Sequence, residues 1–156
     1  TQVLLGHVPD PPRTGTFLDL GCGWGPIALA LADAAPTATI LATDVNERSL
    51  DLTRRNAAAA GRTVRAVEAA ALLAELRDSG ARLDLIWSNP PMRIGKTALH
   101  ELLESWLPLL ADNGEGWLVV HKNLGADSLT SWLAEGGWDV SRRASSKGFR
   151  VLRVRH

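Results

Sequence analysis

The chain has 156 residues, and its 17 lysines and arginines balance 17 aspartates and glutamates, so the domain as a whole is no electrostatic trap for nucleic acid. Apolar residues make up 46% of it, which excludes disorder, and no apolar run reaches membrane-spanning length. The single cysteine, Cys22, cannot close an internal disulfide, which points to a reducing, cytoplasmic compartment; the four histidines form no metal-ligand spacing with it.

Thr16-Phe17-Leu18-Asp19-Leu20 reads as a buried strand. It enters Gly21-Cys22-Gly23-Trp24-Gly25 and then an Ala/Leu-rich helix. Pro26 suits that helix's first position, and Pro36 lies beyond its end. Residues 38–43 read as a second strand ending at Asp44, and Asn46 is the expected N-cap of a helix over 47–60. A short strand over 64–67 and a helix over 69–78 follow. Residues 83–87 form a fourth apolar strand, which stops at Ser88-Asn89-Pro90-Pro91. Leu99, Leu102, Leu103, Trp106, Leu107 and Leu110 share one face of a helix predicted over 97–110. Asn113-Gly114 is a predicted turn before a strand over 116–121. A helix over 128–135 stops at Gly136-Gly137, and strands over 138–143 and 149–155 flank a Ser/Lys/Gly turn. This alternation predicts an α/β fold with a mostly parallel sheet and helices on both faces. The closing pair is a hairpin, so one of its strands runs antiparallel.

Strand, glycine loop and helix together form the cofactor-binding start of a doubly wound domain. A nicotinamide fingerprint needs G-x-G-x-x-G/A, but Pro26 occupies the sixth position here and the pattern is G-x-G-x-G. Asp44, at the end of the neighbouring strand, is placed to accept hydrogen bonds from both ribose hydroxyls. It can also begin the next helix. Asn89-Pro90-Pro91 is the second candidate site. Two consecutive prolines cannot continue a ladder, so the chain leaves the strand in a rigid extended form. The Asn89 amide and the Pro90 carbonyl then present two close acceptors, which suit a planar –NH2 group. Taken alone, the tripeptide is a plain turn more often than a site.

Asp19-Leu20-Gly21-Cys22-Gly23-Trp24-Gly25, Asp44 and Asn89-Pro90-Pro91 together resemble the class I S-adenosylmethionine-dependent methyltransferases. Residues 89–96 and the closing Lys147-Gly148-Phe149-Arg150-Val151-Leu152 resemble the small-domain family related to ribosomal small-subunit RNA guanine-N2 methyltransferases. The resemblance implies a single Rossmann-like domain over residues 1–156 with strand order 3-2-1-4-5-7-6, lacking an N-terminal extension the family carries. It implies S-adenosyl-L-methionine as cofactor, held by Asp19, Gly21, Cys22, Gly23, Gly25, Asp44, Val45 and Asn89. Asn89 and Pro90 would act in catalysis, and Pro91, Met92, Arg93 and Lys96 would contact the substrate. The implied reaction is methylation of an exocyclic nitrogen of RNA, most simply guanine N2 of ribosomal RNA, free or in a small-subunit particle. No membrane or metal partner is implied, and oligomeric state is left open. Glutamine-N5 methylation of a protein uses the same Asn-Pro-Pro. A non-catalytic cofactor-binding or assembly domain is an alternative of another class.

The chain departs from the family where an acid is expected to contact the adenine amino group: Ala70 stands there, and Glu68 or backbone groups are the alternatives for that contact. Met92 replaces the aromatic that adenine-N6 enzymes carry, which favours guanine. Gly95-Lys96-Thr97 is no P-loop, because Pro90 fills the place of the required first glycine. The six tryptophans, Trp24 and Trp87 included, are expected to pack. Arg142, Arg143, Lys147, Arg150, Arg153 and Arg155 follow the last acid, Asp139. Two readings of that run stand equally: a phosphate-binding patch with Arg93 and Lys96, or a charge-protected sheet edge.

Overall fold

The apolar runs become strands covered on both faces in the computed structural model, which describes residues 2–91 and 94–156. Five parallel strands, β1 (Thr16–Leu20), β2 (Thr39–Asp44), β3 (Arg65–Glu68), β4 (Leu83–Ser88) and β5 (Leu110–His121), are joined by β7 (Phe149–Arg155), which runs antiparallel to them, and by β6 (Asp139–Ser146), which pairs antiparallel with β7 at the edge. The order across the sheet is β3-β2-β1-β4-β5-β7-β6, as the resemblance implied. The helices are α1 (Gln2–Leu5), α2 (Pro26–Ala34), α3 (Glu47–Ala59), α4 (Ala69–Ser79), α5 (Lys96–Trp106) and α6 (Ala126–Glu135).

Side-chain alternation sorts the strand residues into two cores. Phe17, Leu85, Trp87, Trp117 and Val151 meet Leu4 of α1, Ile27 and Leu31 of α2 and Leu50 of α3. Leu18, Ile86, Leu118 and Leu152 meet Leu72 of α4, Leu99 and Leu103 of α5 and Leu129 of α6. The helix that follows β1 therefore lies on one face, and the helix that follows β4 lies on the other. Since β1 and β4 are neighbours, their connections diverge and leave a crevice at their carboxyl ends, where doubly wound folds bind ligands.

Several expectations are corrected. Asn113-Gly114 is not a turn but part of β5. Pairing with β4 jumps from Leu83↔Leu110 to Leu85↔Glu115, so residues 111–114 bulge out of register. Gly114 fits there because a Cβ would stand 2.7 Å from the Leu83 carbonyl oxygen. The helix predicted over 97–110 ends at Trp106 and tightens into a 3-10 turn over Leu107–Leu109. Pro108 has no N–H to continue the α-helical ladder. β6 runs on to Ser146, with a register shift between Arg142 and Ala144. The hairpin closes on Lys147 and Gly148, at φ 52° and 82°, the paired positive values of a type I′ turn. Trp87, Trp106 and Trp117 are buried as expected, and Trp132 and Trp138 pack against the core. Trp24 does not pack: it is 56% exposed.

Candidate active site

Gly21, Gly23 and Gly25 all take positive φ, at 78°, 55° and 99°. A Cβ at Gly21 or Gly23 would meet nothing within 4 Å, so their open sides face empty space that a ligand can enter. Gly25 serves packing instead, because a Cβ there would touch Thr53 at 3.0–3.3 Å. The loop begins with the Gly21 and Cys22 amides donating to the Thr43 carbonyl at 3.0 and 2.9 Å, which ties the end of β1 to β2.

The loop is clamped from beneath and from behind. Asp19 has no exposed surface, and its Oδ2 accepts the Ala28 amide of α2 at 3.0 Å. Among the described residues, its Oδ1 has no partner. Burial pushes the Asp19 carboxyl up to about 7; the Ala28 hydrogen bond opposes this, and the charge of Asp44 adds to it. Asp19 thus braces the loop from below and does not reach the cavity wall. From α3, Thr53 Oγ1 donates to the Gly23 carbonyl at 2.9 Å, and Asn56 Nδ2 donates to the Trp24 carbonyl at 2.8 Å. The motif reading missed both residues. The available signal is that Leu50, Thr53 and Ala57 share the buried stripe of α3, so a hydroxyl sits where an apolar side chain would be routine. Cys22 is 3% exposed, and burial raises its thiol to about 11, so it is no nucleophile at neutral pH.

Asp44 Oδ2 accepts the Gly23 amide at 3.1 Å, and Oδ1 accepts the Asn46 amide at 3.0 Å. Asn46 caps α3 as expected, accepting from Arg48 and Ser49. Each carboxylate oxygen keeps a second lone-pair direction. Glu68, the substitute acid, is not on the cavity wall; its carboxylate caps α4 by accepting the Ala70 and Ala71 amides at 3.1 and 3.0 Å. Ala69 lines the cavity in its stead.

On the other side, buried Ser88 donates to the Leu20 carbonyl at 2.8 Å, fixing β4 against β1 just before Asn89. Asn89 is half-buried, Pro90 buried and Pro91 exposed. Gly21, Cys22, Gly23, Asp44, Val45, Asn89 and Pro91 all line one cavity of about 610 Å³. Ile94 and Leu102 close it from the α5 side. The two exposed large apolar side chains among the described residues, Trp24 and Val45 (83% exposed), both sit on its wall. Lys96 opens α5, exposed and off the cavity wall, while Met92 and Arg93 lie outside the described residues. The C-terminal cations do not form one cluster. Arg153 and Arg155 face Glu115 and Asp139 at 4.0 and 2.7 Å, at the end of the sheet away from the cavity. Among the described residues, no group of three His, Cys, Asp or Glu could hold a metal ion, and no helix is long and apolar enough to cross a membrane.

A family model described as the methyltransferase small domain matches residues 1–153. The chain is 34% identical to the uncharacterized protein YbxB of Bacillus subtilis, over 99% of this chain and 77% of that one. It is 29% identical to ribosomal RNA large subunit methyltransferase G of Ectopseudomonas mendocina, over 99% of this chain and 41% of the relative. It is 45% identical to the release factor glutamine methyltransferase of Chlorobaculum tepidum, over 58% of this chain and 35% of the relative. The chain thus spans under half the length of those two methyltransferases. Among solved structures it superposes on a ribosomal protein L11 methylase from Lactobacillus delbrueckii with a TM-score of 0.77 at 21% identity, covering 99% of this chain and 77% of that one. A T. thermophilus 16S rRNA N2 methyltransferase in complex with AdoMet and guanosine superposes with a TM-score of 0.69 at 20% identity, over 90% of this chain and 37% of that one. Both superpositions show the shared fold.

Proposed function

Because the chain belongs to the methyltransferase small-domain family of class I S-adenosylmethionine-dependent methyltransferases, we propose that it methylates an exocyclic nitrogen of RNA, with guanine N2 of ribosomal RNA as the preferred acceptor. The observation that carries this reading is that the glycine loop, Asp44 and Asn89 open on one cavity. Its volume falls in the range of small-molecule sites, roughly 300–1,000 Å³. The open sides of Gly21 and Gly23 allow close approach by a ligand. Asp44 offers its remaining lone pairs to ribose hydroxyls, and Val45 and Ala69 offer apolar surface to an adenine ring.

The bound cofactor supplies an activated methyl on a sulfonium, so the protein's task is alignment. Asn89 and the Pro90 carbonyl would accept the two N–H groups of the target amine. That fixes the nitrogen toward the methyl and stabilises the positive charge that develops on it. The glycine loop and Asp44 would hold the cofactor that supplies the methyl, and Asn89 would hold the amine nitrogen in line with it. The base has to leave any stack to reach this position.

RNA as acceptor is supported by the likeness to ribosomal RNA large subunit methyltransferase G and by the guanosine bound to the structurally similar T. thermophilus enzyme. The release factor glutamine methyltransferase favours a second reading, since a side-chain amide presents the same planar –NH2. Incubation with labelled cofactor and either total RNA or total protein separates the two. The first reading predicts label in N2-methylguanosine. Label confined to N5-methylglutamine would establish the second, and cofactor binding with no incorporation would indicate a non-catalytic domain.

A further inference from the structure

The sheet order sets a lateral series of cations beside the cavity. Lys96 opens α5 after β4, Lys122 follows β5, Lys147 occupies the β6–β7 turn, and Arg143 sits at the register shift of edge strand β6. β4, β5, β7 and β6 are consecutive neighbours, so the series crosses three strand spacings, roughly 15 Å. Lys122 and Lys147 are held together by the backbone, because the Lys122 amide donates to the Gly148 carbonyl at 2.8 Å. His121 stiffens the same tip. Its Nδ1 accepts the Asn123 amide at 3.0 Å, and its ring meets Phe149 edge-on at 4.9 Å.

Within the closing hairpin, pairing divides the charges by location; Arg13, Arg48, Arg77 and Arg82, outside it, are likewise exposed and without an ion pair among the described residues. Arg54, Arg55, Arg62, Arg65, Arg153 and Arg155 each face a carboxylate within 4.0 Å. Lys96, Lys122, Arg142, Arg143 and Lys147 are exposed and form no such pair among the described residues. Arg142 and Arg150 share a face, since Arg142 lies opposite Leu152 and Ser145 lies opposite Arg150. The half of the hairpin near the cavity is therefore a run of uncompensated positive charge, while its far half is neutralised. A charge-protected edge needs no such division, because both halves of β6 are equally edge.

Resting on the reading that RNA is the acceptor, we infer that Lys122, Lys147 and Arg143 form a track for the phosphates flanking the target nucleotide, which positions the strand so that its base enters beside Asn89. Phosphate contacts of this kind fix register and carry no sequence information. The test is the salt dependence of binding to a fluorescein-labelled single-stranded RNA. Parent protein is compared with Lys122→Gln/Arg143→Gln/Lys147→Gln and with a charge-matched control, Arg55→Gln/Arg62→Gln/Arg155→Gln, with thermal melts to verify folding. The hairpin variant is expected to lower the slope of log K against log salt by about two, the value for three lost contacts to a single strand, while the control keeps the parent slope. Equal flattening in both variants would mean that overall charge acts, and no flattening in the hairpin variant would mean that no phosphate lies there; either overturns the track. Unchanged slopes with N2-methylguanosine still formed would remove the track and leave the RNA reading standing. A parent that binds no RNA at low salt would remove both.

Discussion

The Gly23 amide and the Asp44 carboxylate are joined at 3.1 Å, and the second Asp44 oxygen accepts the Asn46 amide. One side chain thus holds the glycine loop, starts α3 and faces the cavity. Losing it removes charge-assisted hydrogen bonds worth about 1.5–3 kcal/mol each. Calorimetry on Asp44→Ala should show S-adenosylmethionine affinity reduced by roughly ten- to a hundredfold or more. Unchanged affinity in a folded variant would remove Asp44 from the site.

Thr53 should act on the cofactor without touching it. Thr53→Val keeps the shape but removes the bond to the Gly23 carbonyl, a loss of about 1 kcal/mol. Cofactor affinity should fall by roughly fivefold, and Thr53→Ser should restore it. Equal loss in both variants would point to packing against Gly25 as the whole of its role.

Asp19 predicts a pH dependence of stability. Its carboxyl lies near 7 in the fold, above its unfolded value, so the native state holds the extra proton. Its contribution is fully present below about pH 4 and is lost as pH rises through about 7. Asp19→Asn keeps an acceptor for Ala28 and has no charge to bury. Thermal melts should show the variant gaining on the parent between pH 5 and 8, by an amount on the order of a few kcal/mol. A constant difference across that range would contradict the assignment.

Much of this arrangement is legible in the sequence, because the signals are local. Gly21 to Gly25 followed by Pro26, Asp44 before Asn46, and Asn89 before two prolines each combine a turn requirement with a chemical group within a few residues. What was not legible depends on partners distant in the chain. Thr53 and Asn56 matter only because α3 packs beneath the loop. Asn113-Gly114 has turn composition but is absorbed as a bulge against β4; Glu68 is the local exception, its carboxylate capping α4 through the amides of Ala70 and Ala71. The C-terminal arginines differ by their place along β6 and β7, since among the described residues Arg153 and Arg155 reach carboxylates and Arg142 and Arg143 do not.

Trp24 gives an optical reading of the cavity. It is more than half exposed on the cavity wall, so S-adenosylhomocysteine should alter its emission. Trp24→Phe should remove most of that change while calorimetry still detects binding. The same signal in the variant would place the reporter elsewhere.

Whether Asn89 acts on the reacting nitrogen is decided by single-turnover methyl transfer with Asn89→Ala. Cofactor affinity should stay near that of the parent while the rate falls by about a hundred- to a thousandfold, the loss of one preorganised polar group worth roughly 2.7–4 kcal/mol. Asn89→Asp, which keeps an acceptor oxygen, should retain part of the rate. A folded Asn89→Ala protein that transfers methyl to RNA at the parent's rate would contradict action by Asn89 on the nitrogen.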